Sequence, residues 1–177
     1  MNTFDKMGVN VLLIDYRGYG KSSGRINAEQ DIYIDGLTAW NFLTMVKKIA
    51  PQDIIIWGRS LGGGVAAELA QFRNVAALVL ESTFYSLDEV AQRRHWYLPS
   101  KLFLKFHFDN GAKLNNIDAP LVIIHSVEDN YIPFSQATKL FDSAPGPKHL
   151  LKTTGSHLDL FDTQNAVLSE LKHYLCL

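Results

Sequence analysis

The chain has 177 residues, 47% hydrophobic and 20% charged, enough to bury one sizeable core and too few for two ordinary domains. A net charge of -1 offers no basic face to a polyanion, so no nucleic-acid partner is expected. The lone cysteine, Cys176, cannot form an internal disulfide, no apolar run reaches the ~18 residues of a membrane span, and the start lacks the regions of a signal peptide. A soluble chain compatible with a reducing compartment is the expectation.

In chain order, short apolar runs rich in β-branched residues occur at 9–15, 54–57, 77–80 and 121–125, each bounded by Gly, Asn, Pro or Asp. The pattern predicts a buried strand at each, with a weaker strand over 148–153. Helical spacing occupies 28–49, 62–71, 135–143 and 163–175, the last with apolar residues at Val167, Leu168, Leu171 and Tyr174. Strands alternating with helices predict an α/β fold with a mainly parallel sheet and helices on both faces.

The segment 82–117 breaks this rhythm with Phe84, Tyr85, Arg93, Arg94, His95, Trp96, Tyr97 and Pro99. Two readings fit it: a lid or cap inserted over a site, or an irregular connection that packs its aromatics into the core. With no internal repeat and no long linker, 1–177 is read as one domain.

The strongest local signal is Gly58-Arg59-Ser60-Leu61-Gly62, which follows an apolar strand and precedes the helix former Val65-Ala66-Ala67-Glu68-Leu69-Ala70. That is the strand–turn–helix setting of a nucleophile elbow. A turn this sharp strains the serine backbone, and Gly58 and Gly62, two residues either side, would let strand and helix close together and lift the Ser60 hydroxyl clear. The N–H of Leu61, at the start of the helix, is placed to stabilise an oxyanion.

A serine hydroxyl needs a base, and the base needs a carboxylate. The acidic pair Glu128-Asp129 follows the 121–125 strand, at the end of a strand where open parallel sheets carry their sites; a solvated turn would look the same. His157 lies in a polar turn between the last strand and the last helix. His95, His107, His125, His149 and His173 are read as surface or core residues.

Other motifs fail on spacing. Gly20-Lys21-Ser22 ends like a phosphate loop, but Asp15 occupies the required first glycine, and Ser60 occupies the second glycine of a dinucleotide fingerprint at Gly58 to Gly63. No H-E-x-x-H or paired-cysteine motif offers a metal site, and no cofactor is implied.

Taken together, these residues resemble the α/β-hydrolase superfamily, in particular its branch of monoacylglycerol and lysophospholipid lipases and α/β-hydrolase-domain depalmitoylases. The resemblance rests on 15–24 (Asp15-Tyr16-Arg17-Gly18-Tyr19-Gly20-Lys21-Ser22-Ser23-Gly24), Gly58 to Gly63, Leu80-Glu81-Ser82, 119–134 and Gly155-Ser156-His157. It implies a catalytic triad of Ser60, Asp129 and His157, favouring Asp129 over Glu128, with Leu61 in the oxyanion hole. Ser126 stands where relatives usually have glycine.

The resemblance further implies an N-terminally incomplete α/β-hydrolase fold. Relatives carry further strands and a loop that donates the second oxyanion N–H before the point where this sequence begins, and one missing strand lies between those matching 9–15 and 54–57. Through such upstream sequence a membrane anchor is also conceivable. The expected activity is cleavage of carboxylic esters or thioesters of lipid-like acyl groups, with Phe84, Tyr85, Trp96 and Tyr97 as candidate walls of an acyl site. The alternatives are a non-catalytic binding or scaffold protein, an inactive fragment, or a triad enzyme of another reaction type.

Overall fold

The computed structural model describes residues 2–94, 104–159 and 165–177. Its frame follows from two apolar runs whose successive side chains point to opposite faces of a sheet. In β2 (Ala77–Glu81) and β3 (Leu121–Ser126), Leu78, Leu80, Leu121 and Ile123 enter one core while Val79, Val122 and Ile124 enter another. Both strands are buried along their whole length, as central parallel strands covered on two sides must be.

β1 (Ile55–Arg59) and β4 (Lys148–Thr153) complete a four-stranded parallel sheet in the order β1-β2-β3-β4. The connections carry α3 (Gly62–Ala70), the pair α4 (Leu87–Arg94) and α5 (Asn110–Leu114), and α6 (Phe134–Ser143). Ala66, Ala67 and Ala70 of α3, Leu114 of α5, Ala137 and Leu140 of α6, and Trp40 of α2 (Glu29–Asn41) cover one face. Met7 of α1 (Asn2–Met7) and Val167, Leu168 and Leu171 of α7 (Asn165–Leu175) cover the other.

Asp31 starts α2 by accepting the Asn27 and Ala28 N–H groups at 2.7 and 3.1 Å. The helix expected over 28–49 is shorter: α2 runs into a π-helical turn at Phe42–Val46 and stops at Lys48, whose φ of 58° is left-handed. Arg17 pins the preceding loop to this helix, with Nε and Nη2 at 2.9 and 2.7 Å from Asp35 Oδ1 and Nη1 at 3.0 Å from Asp31.

One expected strand is corrected. Residues 9–15 form no strand, and Val11, Leu12, Leu13 and Ile14 are 47, 41, 75 and 40% exposed. A strand needs a neighbour to satisfy its backbone groups, and among the described residues none lies beside 9–15 or on the outer edge of β1. Apolar composition supplies a face; it cannot supply a partner. Among the described residues no helix is long and apolar enough to cross a membrane.

Of the aromatics in 82–117, Phe84 is 3% exposed and packs with Tyr33 and Phe108, and Tyr85 packs against the core over Gly111. Phe84 belongs to the interior and is not a wall of an open acyl site, which corrects that expectation, while Tyr85 is half-buried. Trp96 and Tyr97, with His95 and Pro99, lie outside the described residues.

Candidate active site

At the end of β1 the chain reverses through Ser60, whose φ of 51° puts a non-glycine residue in the left-handed region, a strain of about 1–3 kcal/mol that the surroundings must hold. Three hydrogen bonds do so. The Ser60 N–H donates to Glu81 O at 2.9 Å, and Ser60 O accepts from the Gly63 N–H at 3.0 Å and the Thr83 hydroxyl at 2.6 Å.

Close packing of strand on helix needs Gly58, where a Cβ would lie 2.4 Å from Gly62 O and 2.6 Å from Ala66 Cβ. The other critical glycine is Gly63, where a Cβ would lie 2.3 Å from Thr83 Oγ1. Gly62, expected to share this role, has only Tyr16 Oη within reach, at 3.7 Å, so the motif's second glycine sits one residue before the tight contact.

The two turns that follow β3 and β4 bring the remaining candidates to the same end of the sheet. His157 Nε2 is 3.1 Å from Ser60 Oγ, and His157 Nδ1 is 2.7 Å from Asp129 Oδ2. Asp129 is buried, and its Oδ1 accepts the N–H groups of Tyr131 and Ile132, each at 2.8 Å. Both oxygens of the buried carboxylate are thus occupied, Oδ1 by two amide N–H groups and Oδ2 by the imidazole. A carboxylate at Nδ1 favours the tautomer with its proton there, which directs the other ring nitrogen, Nε2, to the serine hydroxyl.

Behind the carboxylate, His125 is fully buried, with Nε2 2.8 Å from Ile132 O and 3.6 Å from Asp129 Oδ2. Burial pushes its pKa below the ordinary value, against the opposing pull of the Ile132 carbonyl and Asp129, so it stays neutral. Leu61 precedes the first turn of α3, and no hydrogen bond occupies its N–H among the described residues.

Glu128 binds the histidine turn instead, its Oε2 accepting the Gly155 N–H at 2.7 Å. The Ser126 hydroxyl donates to Gly155 O and accepts the Glu128 N–H at 3.1 Å. Sequence reasoning assigned Ser126 no role; its one signal was a hydroxyl at a position where glycine was expected. Thr83, Arg59 and Glu81 also carry contacts that nothing in the linear pattern marked.

Among the remaining histidines, His107 pairs with Asp88 and His149 with Glu170, at 2.9 and 2.7 Å. A surface groove of about 650 Å³, lined by Leu12, Ile14, Arg17, Asp35 and Phe42 among others, includes neither Ser60 nor His157. Chemistry and volume therefore point to different places, and no histidine lines the groove.

A family model described as alpha/beta hydrolase fold matches residues 1–102. The chain is 36% identical over 149 residues to an uncharacterised protein of Mycobacterium tuberculosis, spanning 84% of this chain and 53% of that protein. It is 31% identical over 170 residues to human alpha/beta hydrolase domain-containing protein 17B, spanning 96% of this chain and 57% of that protein. The chain thus spans little more than half the length of these relatives.

Its fold is similar to that of the Pyrococcus furiosus esterase Pf2001, with a TM-score of 0.80 at 22% identity, covering 98% of this chain and 72% of the esterase. An alpha-beta hydrolase from Vibrio vulnificus aligns with a TM-score of 0.74 at 22% identity over 99% of this chain and 65% of its own.

Proposed function

Because the chain belongs to the α/β-hydrolase superfamily, in the branch of the α/β-hydrolase-domain proteins, we propose that it carries the machinery of a serine hydrolase acting on carboxylic esters or thioesters. The observation that carries this reading is the continuous relay Asp129–His157–Ser60, with separations of 2.7 and 3.1 Å, at the C-terminal end of a parallel sheet.

In this reading Ser60 Oγ attacks the carbonyl carbon as His157 Nε2 takes its proton, and the Leu61 N–H stabilises the oxyanion. The tetrahedral intermediate collapses with cleavage of the bond to the leaving oxygen or sulfur, which receives the proton from His157. Water, deprotonated by His157, then attacks the acyl-enzyme; a second collapse releases the carboxylic acid and returns the proton to Ser60 Oγ. Asp129 fixes the imidazole tautomer and stabilises the imidazolium without itself taking a proton.

An apolar acyl group is supported by side chains beside the reacting pair. Leu61 and Leu158, each next in sequence to a member of it, are 39 and 80% exposed, and the half-exposed Tyr131 ring lies 5.2 Å from that of His157. Exposed apolar groups at one mouth are a rim for an apolar ligand. The human relative is named for its hydrolase domain and the P. furiosus protein as an esterase, and both names agree with a hydrolase reading.

The test is fluorophosphonate labelling of the purified chain beside Ser60→Ala, with circular dichroism on the same samples. Labelling of wild type that vanishes in Ser60→Ala is the expected result. Absence of labelling in well-folded wild type overturns the reading in favour of a scaffold that keeps the surface without turnover.

A further inference from the structure

The ring of His157 is held at both nitrogens, but a ring is only as well placed as the turn that carries it. That turn follows β4, whereas the nucleophile follows β1, at the opposite edge of the sheet. Besides the imidazole itself, the Arg59 side chain spans the two. Arg59, the residue before the nucleophile, donates from Nη2 to the backbone carbonyl of His157 at 2.9 Å.

Arg59 is itself anchored. In the β1–β2 register it stands opposite Glu81, and its Nε lies 3.4 Å from Glu81 Oε1. This is an ion pair without an aligned hydrogen bond, since Nε takes no hydrogen-bond acceptor. The Glu81 side chain is only 7% exposed, and its Oε2 accepts the Trp57 Nε1 hydrogen at 2.9 Å. Trp57 precedes Arg59 by two residues on the same face of β1 and meets the Phe4 ring of α1 edge-on at 5.1 Å. A carboxylate fixed by strand register and by a packed indole therefore aims the guanidinium at the histidine turn.

Resting on the serine-hydrolase reading, we propose that Arg59 is a positioning residue for that reaction, setting the distance between the histidine turn and the nucleophile through the Glu81–Arg59–His157 carbonyl contact. It touches no reacting atom. The geometric requirement is strict, because a misplacement of about 1 Å between base and nucleophile costs about 10²-fold. Arginine meets it in full, reaching the carbonyl with one nitrogen while its planar fork keeps a second beside the carboxylate; lysine can supply one contact at a time.

Wild type, Arg59→Ala, Arg59→Lys and Glu81→Gln are compared by fluorophosphonate labelling rate, by kcat and KM on a short p-nitrophenyl ester, and by solvent exchange of the deshielded His157 Nδ1 proton in NMR spectra. In Arg59→Ala, labelling rate and kcat fall about 10–100-fold, KM changes less than about twofold, and the Nδ1 proton exchanges faster. Arg59→Lys recovers part of the loss, an effect that mere destabilisation would not produce.

A folded Arg59→Ala with wild-type labelling, kcat and proton exchange overturns the inference while leaving the serine-hydrolase reading intact. If that variant does not fold, Glu81→Gln decides, and unchanged labelling and exchange in it overturn the inference. If folded wild type is never labelled, the functional reading fails by itself, and the effect of Arg59→Ala on Nδ1 exchange still supports or overturns the positioning role.

Discussion

Glu128 and Gly155 are joined across two turns, the carboxylate of one holding the backbone N–H of the other at 2.7 Å, one residue before Asp129 and two before His157, which make their own contact. The neighbouring acids thus divide the work, one holding the backbone of the histidine turn and the other its ring. Asp129→Asn should lower kcat about 10⁴-fold by disturbing the imidazole tautomer. Glu128→Gln should stay within about threefold of wild type because its amide oxygen still accepts the N–H, while Glu128→Ala should lose about 10-fold. Steady-state ester hydrolysis by the three variants checks the division; equal losses in both alanine-type and amide variants of Glu128 would refute it.

The glycines of the elbow should respond unequally. A methyl group at position 58 meets backbone at 2.4 Å and one at 63 meets Thr83 at 2.3 Å, whereas at 62 the nearest atom is 3.7 Å away. Gly58→Ala and Gly63→Ala should each cost about 1–3 kcal/mol or more, and Gly62→Ala less than about 0.5 kcal/mol. Urea midpoints at constant m decide this.

His125 predicts a pH dependence of stability. Its folded pKa is lowered, chiefly by burial, so as pH falls the unfolded chain takes up a proton before the folded one does. Its stabilising contribution is therefore present above the ordinary histidine value of about 6.5 and lost as pH falls from there through the lower folded value. Unfolding free energies from pH 7.5 to 5 should fall more steeply for wild type than for His125→Gln. Parallel curves would show that other groups dominate this window.

The apolar stretch at 11–14 is exposed, and no strand covers the outer edge of β1 among the described residues. Unpaired edges beside exposed apolar side chains recruit further strands. Sedimentation velocity should show concentration-dependent association, reduced by Leu13→Lys; a monomer at all concentrations would contradict this.

Where local chemistry decides, the sequence was readable. The runs at 77–80 and 121–125 became β2 and β3 because their alternate residues feed two cores, and Val167, Leu168 and Leu171 became the buried stripe of α7. Ser60 and His157 were legible from the turns they occupy after strands, Asp129 was preferred to Glu128 through the family resemblance, and the structure brings all three together. The failures share a cause. Residues 9–15 have strand composition but no pairing strand among the described residues, Phe84 has the makeup of a binding aromatic but is buried edge-on to Phe108, and Gly62 fits a motif whose contact falls on Gly63. Ser126, Arg59 and Thr83 act through partners up to 98 positions away, which no window along the chain contains.

The sheet's simple order places the serine and histidine ends on its two margins, 97 residues apart in the chain. β4 is bonded to β3 alone and backed by α7, so this C-terminal pair can loosen while β1, β2 and β3 stay assembled. Fraying there erases reactivity long before it erases helical or strand signal. On the serine-hydrolase proposal, labelling of Ser60 should therefore be lost on warming before the helical signal is, which would make it a gauge of how firmly the last third of the chain is closed.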